Sequence, residues 1–117
     1  SKEIVPVVRE GHAVLYYRSG VSLASKSEKA LQELAQKLKN RPGYRVTLHG
    51  YTDVKGDPGQ NLELSYKRAE GLKKKLVKQG LRPDHIHVFA FGGTEPKQSG
   101  DSPEAKQANE RVELLIE

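Results

Sequence analysis

The sequence predicts a two-layer α/β (α+β) domain, in which a small mixed sheet of about four strands carries helices on one face in the order β-α-β-α-β-β. Two patterns support this class. Apolar residues recur at helical spacing in two long segments, and apolar and polar residues alternate in the shorter segments between them. At 117 residues, the chain is long enough for one domain with a single core.

Residues 1–12 are predicted to form a lead-in segment, and residues 13–117 the domain itself. The apolar stretch at 4–8 contains Pro6, which disfavours a central strand because proline cannot donate to a ladder. The first strand is predicted at 13–17, where five apolar or aromatic residues are followed by a Ser-Gly pair.

The first helix is predicted to begin at Ser25, because Ser25 and Glu28 have the spacing of a capping box. An apolar stripe over residues 30–38 follows, and a Pro-Gly pair at 42–43 ends the helix. The second helix is predicted to begin at Pro58 or Asn61 and to end at Gln79. Its apolar seam contains Ser65, Ala69, Leu72 and Leu76.

Three further strands are predicted at 44–50, 86–91 and 111–117, with one or two helical turns at 103–108 before the last of them. Two strand–helix–strand connections predict parallel pairing with right-handed crossovers. The final strand follows a looser connection, which allows it to run antiparallel.

Composition argues against several classes of function. No apolar run approaches the roughly 20 residues of a membrane span, so contact with a membrane is expected only through an anchor outside this sequence. The absence of cysteine excludes disulfides and thiol chemistry. No phosphate loop or nucleophile elbow is present, so we predict a protein that is not an enzyme and uses no cofactor.

The charge balance is basic, with 20 Lys and Arg against 15 Asp and Glu and a formal net charge of +5. This balance permits an anionic partner without choosing one. The alternative function is therefore a basic nucleic-acid-binding α/β domain. It would use the lysines of the second helix, which are Lys67, Lys73, Lys74, Lys75 and Lys78.

His85 and His87 lie two residues apart in a predicted strand, which places them on one face where they could bind a metal. Exposed strand histidines are the commoner explanation of such a pair, and we predict no metal site.

A candidate binding site lies around the second helix. Asp53 occupies the loop before this helix, and Asn61 and Arg68 share one helical face because seven residues make nearly two turns. A carboxylate and a guanidinium that converge here would suit a ligand bearing both an ammonium and a carboxylate. The alternative is a structural bridge between Asp53 and Arg68 that pins the loop to the helix.

The same region carries an ordered motif, Gly50-Tyr51-Thr52-Asp53-Val54-Lys55-Gly56, followed at fixed spacing by Asn61, Leu64-Ser65 and Arg68-Ala69. This motif resembles that of the OmpA-like domains that bind peptidoglycan, a family that includes peptidoglycan-associated lipoproteins and flagellar stator proteins. The resemblance continues into the last strand and covers about residues 13–117.

The resemblance implies a role for each matching residue. Asp53 would receive the ammonium of diaminopimelate in the peptidoglycan stem peptide, and Arg68 would hold a carboxylate of the same residue. Asn61 would line the site, Leu64 would supply an apolar wall, and Thr52 would set the loop. Removing or amidating the ligand carboxylate should then weaken binding.

Three positions bear on this assignment near the two ends of the domain. Ser19 stands where family members place an asparagine that contacts the ligand. The usual Asn-Arg-Arg-Val appears here as Asn109-Glu110-Arg111-Val112, so Arg111 is retained as a ligand-binding candidate. Glu110 reverses a charge close to the expected site.

The resemblance thus implies non-catalytic binding of peptidoglycan that tethers a larger envelope protein to the cell wall. The expected location is the periplasm of a Gram-negative bacterium. The expected partner is peptidoglycan and not nucleic acid, and a homodimer is left open.

Overall fold

The computed structural model describes residues 3–117, which form six strands, three α-helices and one short 3-10 helix. The strands are β1 (Val7–Arg9), β2 (His12–Ser19), β3 (Ser22–Leu23), β4 (Val46–Tyr51), β5 (Ile86–Gly92) and β6 (Arg111–Ile116). The α-helices are α1 (Ser25–Lys39), α2 (Pro58–Lys78) and α3 (Pro103–Asn109), and the 3-10 helix is Pro83–His85.

The sheet has the order β1-β2-β6-β4-β5, and β3 pairs with β2 beside this path. The α2 crossover connects β4 to β5 as parallel neighbours, as predicted. The last strand, β6, runs antiparallel to both β2 and β4 and lies between them. The first crossover therefore joins strands that run in the same direction but do not share hydrogen bonds.

The predicted class of fold is confirmed, but the sheet has six strands and not four. The two additional strands are β1 and β3, both short and both paired with β2. Pro6 immediately precedes β1, which is an edge strand, as the restriction on proline requires. The predicted lead-in segment thus adds an edge strand, while its first two residues lie outside the described part of the chain.

The start of α1 differs from the predicted capping box. The N-cap residue is Ala24, whose side chain makes no capping hydrogen bond. The carboxylate of Glu3 accepts hydrogen bonds from the Lys26 amide and the Ser25 hydroxyl instead. A carboxylate from the N-terminal segment therefore caps this helix, because a full negative charge is favourable beside the free amides of the first turn.

The core lies between one face of the sheet and the helices α1 and α2. The predicted seam of α2 is confirmed, since Ser65, Ala69, Leu72 and Leu76 are all buried. The helix lies close to β4 at Gly50, where an added Cβ would lie 2.1 Å from the Ser65 carbonyl oxygen. This close approach places the first half of α2 directly beside the end of β4.

Candidate functional site

The candidate site lies where the loop at 52–57, the first half of α2 and the junction of α3 with β6 meet. Thr52 and Asp53 follow β4 directly and are buried, and Asp53 is 6% exposed. Gly93 lies very close to this loop, because an added Cβ at Gly93 would lie 2.5 Å from the Asp53 carbonyl oxygen. The loop therefore packs closely against the chain that leaves β5.

Thr52 and Asn61 hold the backbone of the loop. The Thr52 hydroxyl donates to the Asp53 carbonyl oxygen at 2.9 Å. The Asn61 side-chain amide donates to the Lys55 carbonyl oxygen at 2.9 Å and to that of Asp53 at 3.4 Å. Both residues thus fix the position of Asp53 through its own main chain.

The Asp53 carboxylate is bonded by a neutral partner. Its Oδ1 accepts a hydrogen bond from Asn109 Nδ2 at 3.2 Å. The Asn109 Oδ1 accepts from the backbone amides of Lys97 and Gln98 at 2.8 and 3.0 Å, which directs its donor nitrogen toward Asp53. Within residues 3–117, Asp53 has no cationic side chain within ion-pair distance, so its charge is not compensated.

Sequence reasoning missed Asn109 as a site residue, although it belongs to the motif Asn109-Glu110-Arg111-Val112. Only the structure shows that Asn109 is fully buried and that its side-chain oxygen and nitrogen are both hydrogen-bonded. The polar residue at the end of a short helix gave no indication of its partner 56 positions earlier.

Arg68 is 2% exposed and has protein partners on several sides. Its Nη1 donates to the Tyr51 carbonyl oxygen at 3.1 Å and to Glu110 Oε1 at 2.6 Å, and its Nε donates to the Gly20 carbonyl oxygen at 2.6 Å. The guanidinium also lies 4.9 Å from the centre of the Tyr17 ring. Arg68 therefore joins the β2–β3 turn, the end of β4 and the start of β6.

Glu110 is the carboxylate at the centre of this network. Its Oε1 accepts from Arg68 Nη1 and from the Asp53 backbone amide at 3.3 Å, and its Oε2 accepts from Lys106 Nζ at 2.9 Å. Burial opposes ionisation, but the hydrogen bonds from Arg68 and Lys106 outweigh it and hold the pKa of Glu110 below its ordinary value.

The alternative of a structural Asp53–Arg68 bridge is wrong, because the ion pair of Arg68 is with Glu110. Asp53 and Arg68 instead share a third residue as their partner, and Asp53 contacts it through its backbone amide and not through its carboxylate. The Asp53 amide and Arg68 Nη1 both donate to Glu110 Oε1. Glu110, the residue at which the sequence reverses a charge of the family motif, is therefore part of the site.

Arg111, predicted to bind ligand, has all three side-chain nitrogens bonded to protein oxygens. Nε donates to Glu113 Oε2 at 2.7 Å, Nη1 to the Asn109 carbonyl oxygen at 3.3 Å and Nη2 to the Glu95 carbonyl oxygen at 3.1 Å. The guanidinium also lies 3.8 Å from the centre of the Tyr51 ring. None of these contacts involves Asp53, Arg68 or Glu110.

The other two predicted residues lie at the edge of the site. Ser19 is exposed at the end of β2, one residue before the carbonyl of Gly20 that Arg68 bonds. Leu64 is partly buried on α2, between Asn61 and Arg68 along the chain. Neither side chain belongs to the hydrogen-bonded network of Asp53, Arg68 and Glu110.

The structure also places the histidines considered for a metal site and the lysines considered for nucleic-acid binding. The prediction that His85 and His87 share one face of a strand is wrong: His85 belongs to the 3-10 helix and packs edge-on against Tyr44, while the exposed His87 lies in β5. No group of three or more metal-ligating side chains occurs within residues 3–117. Of the lysines on α2, Lys67 pairs with Glu63 and Lys75 pairs with Glu28.

None of the helices in the described part of the chain combines the length and apolar character needed to cross a membrane.

Comparisons with known proteins agree with this fold. The chain is 37% identical over 106 residues to the Peptidoglycan-binding protein ArfA of Mycobacterium tuberculosis. This match covers 91% of this chain and 32% of that protein. It is 34% identical over 92 residues to the Peptidoglycan-associated lipoprotein of Pseudomonas aeruginosa, covering 79% and 54% respectively. The chain thus spans about a third to a half of the length of these relatives.

A solved structure is similar as well. The peptidoglycan-associated lipoprotein from Burkholderia pseudomallei superposes with a TM-score of 0.81 at 27% identity, over 89% of each chain. The model of the OmpA family matches residues 15–110, which is most of the sequence and includes Asp53, Arg68 and Glu110. The chain belongs to the OmpA family.

Proposed function

We propose that this domain binds peptidoglycan without catalysis, and that Asp53 receives the ammonium of diaminopimelate in the stem peptide. One observation carries the proposal: the Asp53 carboxylate is nearly buried, bonded by the neutral Asn109 amide, and without a cationic partner within residues 3–117. Burying a charge is costly unless an opposite charge compensates it. A ligand ammonium would supply that charge and form a charge-assisted hydrogen bond.

The surrounding residues support this assignment by the roles that their contacts allow. Thr52 and Asn61 fix the loop, so Asp53 is oriented before the ligand arrives. Leu64 and Ser19 would border the bound stem peptide. Arg68, whose Nη1 shares Glu110 Oε1 with the Asp53 amide, would contact the carboxyl end of diaminopimelate. Arg111 donates to the Asn109 carbonyl oxygen and would support the residue that orients Asp53.

The names of the relatives support the same function at a coarser level. The curated relatives are named for binding peptidoglycan or for association with it. We propose that this chain acts in a bacterial cell envelope as the wall-binding part of a larger protein, which it tethers to the wall. The chain covers only part of those relatives, so the proposed anchor would lie in the remainder of such a protein.

Sedimentation with insoluble purified peptidoglycan tests the proposal. The domain should sediment with the wall at moderate salt, and Asp53→Asn should remain in the supernatant. The matched control is Asp84→Asn, which removes the same charge from an exposed aspartate on the 3-10 helix. Equal sedimentation of Asp53→Asn and Asp84→Asn would show that Asp53 is not the ligand contact.

A gel shift with random DNA, run beside the sedimentation assay, tests the alternative function. Phosphate binding by lysines on α2 would be lost steeply as salt rises, because it depends on counterion release. Binding to DNA without binding to the wall would overturn the proposal. Two of the five lysines already have acidic partners, which weakens this alternative.

A further inference from the structure

A carboxylate of the chain itself occupies Arg68, the residue expected to hold a carboxylate of the ligand. Arg68 Nη1 donates to Glu110 Oε1 at 2.6 Å, and the Asp53 amide donates to the same oxygen. We infer, on the basis of the proposed function, that Glu110 replaces the ligand carboxylate beside Arg68. The domain would therefore favour stem peptides in which the diaminopimelate carboxylate next to the ammonium is amidated.

The charges around the site favour a ligand that brings one positive charge and no negative charge. Arg68 and Glu110 neutralise each other, and the Lys106 side chain is 63% exposed, so solvent screens it. Asp53 remains the uncompensated charge, and an ammonium balances it. A free ligand carboxylate would instead share one guanidinium with Glu110, and two like charges in a partly buried site oppose each other.

The hydrogen-bonding capacity of Glu110 leads to the same preference. An ionised carboxylate only accepts hydrogen bonds, so a ligand carboxylate and Glu110 have no proton to share. A primary amide has two N–H donors and one carbonyl acceptor. It could donate to Glu110 while its carbonyl oxygen faces Arg68, so an amide satisfies both protein groups where a carboxylate satisfies one.

Glu110 is held in place from both the main chain and the side chain. Its backbone amide donates to the Lys106 carbonyl oxygen at 3.2 Å, and its carbonyl oxygen accepts from the Tyr17 amide at 2.9 Å. The side chain accepts from Arg68, Lys106 and the Asp53 amide, and it is 16% exposed. A ligand carboxylate that displaced Glu110 would have to break these charge-assisted bonds first.

Calorimetric titration with two synthetic stem peptides tests the inference. The peptides are identical except that one carries diaminopimelate with a free side-chain carboxylate and the other carries its amide. The parent domain should bind the amide about tenfold more tightly, because only the free acid faces Glu110. Glu110→Gln removes the opposing charge and should shift the ratio of affinities toward the free acid by a similar factor.

Glu104→Gln is the matched control, since it removes a negative charge from an exposed position of α3, the helix that Glu110 directly follows. It should leave the ratio of affinities unchanged. A parent domain that binds the free acid as tightly as the amide, or more tightly, would overturn the inference, and so would an unchanged ratio in Glu110→Gln. If Glu110→Gln fails to fold, the parent ratio alone decides.

The two proposals fail in different ways. If the parent binds neither peptide and does not sediment with purified peptidoglycan, the proposed function itself is wrong. If it binds both peptides but prefers the free acid, only the role of Glu110 is wrong. A preference for the amide that disappears in Glu110→Gln supports both.

Discussion

Asn109 Nδ2 donates a hydrogen bond to Asp53 Oδ1 across 56 positions of sequence, so the end of α3 orients the carboxylate that follows β4. The orientation of the Asn109 amide is determined by its other bonds. Its oxygen accepts from the amides of Lys97 and Gln98, and its nitrogen also donates to the Gln98 carbonyl oxygen. Asp53 thus gains a partner that fixes its position and leaves its charge available.

Asn109→Asp should destabilise the domain by about 2–4 kcal/mol at neutral pH, because the new carboxylate faces both Asp53 and the Gln98 carbonyl oxygen. Like charges at this distance raise the pKa of the pair, so the destabilisation should shrink as the pH falls and one carboxyl gains a proton. Urea unfolding at two pH values measures both effects.

Gln32→Glu, which adds the same charge at an exposed position of α1, is the control for this substitution and should change stability little. If Asn109→Asp unfolds at the same urea concentration as Gln32→Glu, Asn109 does not hold Asp53 in the manner described.

Arg68→Lys should lower the free energy of unfolding by about 2–3 kcal/mol, because one ammonium cannot replace both Nε and Nη1. The contacts to the Gly20 and Tyr51 carbonyl oxygens lie on different sides of the guanidinium. The control is Arg45→Lys, an exposed position whose change should be nearly neutral. Equal unfolding midpoints for the two variants would show that the Arg68 network contributes little.

Local pattern was sufficient to predict the three α-helices and four of the six strands of this fold. The apolar stripe on α2 and the alternating apolar residues of β4 face the core on one side of the sheet. These residues are buried, as predicted. Of the two predicted starts of α2, Pro58 and Asn61, the structure has Pro58, because proline suits the first turn of a helix. These features depend on neighbouring residues, which a sequence displays directly.

Features set by distant residues were not predictable in the same way. The insertion of β6 between β2 and β4 is a choice among pairings that no local pattern distinguishes. Ser25 and Glu28 have the spacing of a capping box, yet the helix is capped by the carboxylate of Glu3, which accepts from the Ser25 hydroxyl and the Lys26 amide. The ion pair between Arg68 and Glu110 spans 42 positions. The negative charge at position 110 showed that the chain departs from the family motif there, but the sequence did not show that Arg68 is its partner.

Gly93→Ala should weaken binding to peptidoglycan by about tenfold or more while most of the fold persists. An added Cβ would lie 2.5 Å from the Asp53 carbonyl oxygen and 2.8 Å from the Val54 Cα, so the loop must move. The shift would misplace the Asp53 carboxylate. Sedimentation with insoluble peptidoglycan measures the loss, and circular dichroism confirms the fold.

Gly71→Ala serves as the control for this substitution, because nothing lies within 4 Å of a Cβ at that helical position. It should bind as the parent does and be slightly more stable, since alanine is the better helix former. Parental binding by Gly93→Ala would mean that the position of the loop does not matter for the ligand.

Glu110 should make the domain less stable in acid. Burial opposes its ionisation, but the bonds from Arg68 and Lys106 prevail and lower its pKa from the ordinary value of 4.5. A carboxyl whose pKa is lower in the folded state stabilises the fold above the unfolded pKa, and this stabilisation is lost as the pH falls through the folded value. The free energy of unfolding should therefore fall as the pH drops below this ordinary pKa of 4.5.

Glu110→Gln should lose less stability than the parent over this acid range, because its side chain takes up no proton. Some loss should remain, since Glu113 also has a lowered pKa: its bond from Arg111 outweighs its burial. Glu104→Gln, with its exposed side chain, should follow the parent curve. Urea unfolding of the three proteins across this range measures the difference. If Glu110→Gln loses as much stability in acid as the parent, the carboxylate that bridges Arg68 and Asp53 does not stabilise the fold through its charge, and the case for its opposing a ligand carboxylate weakens with it.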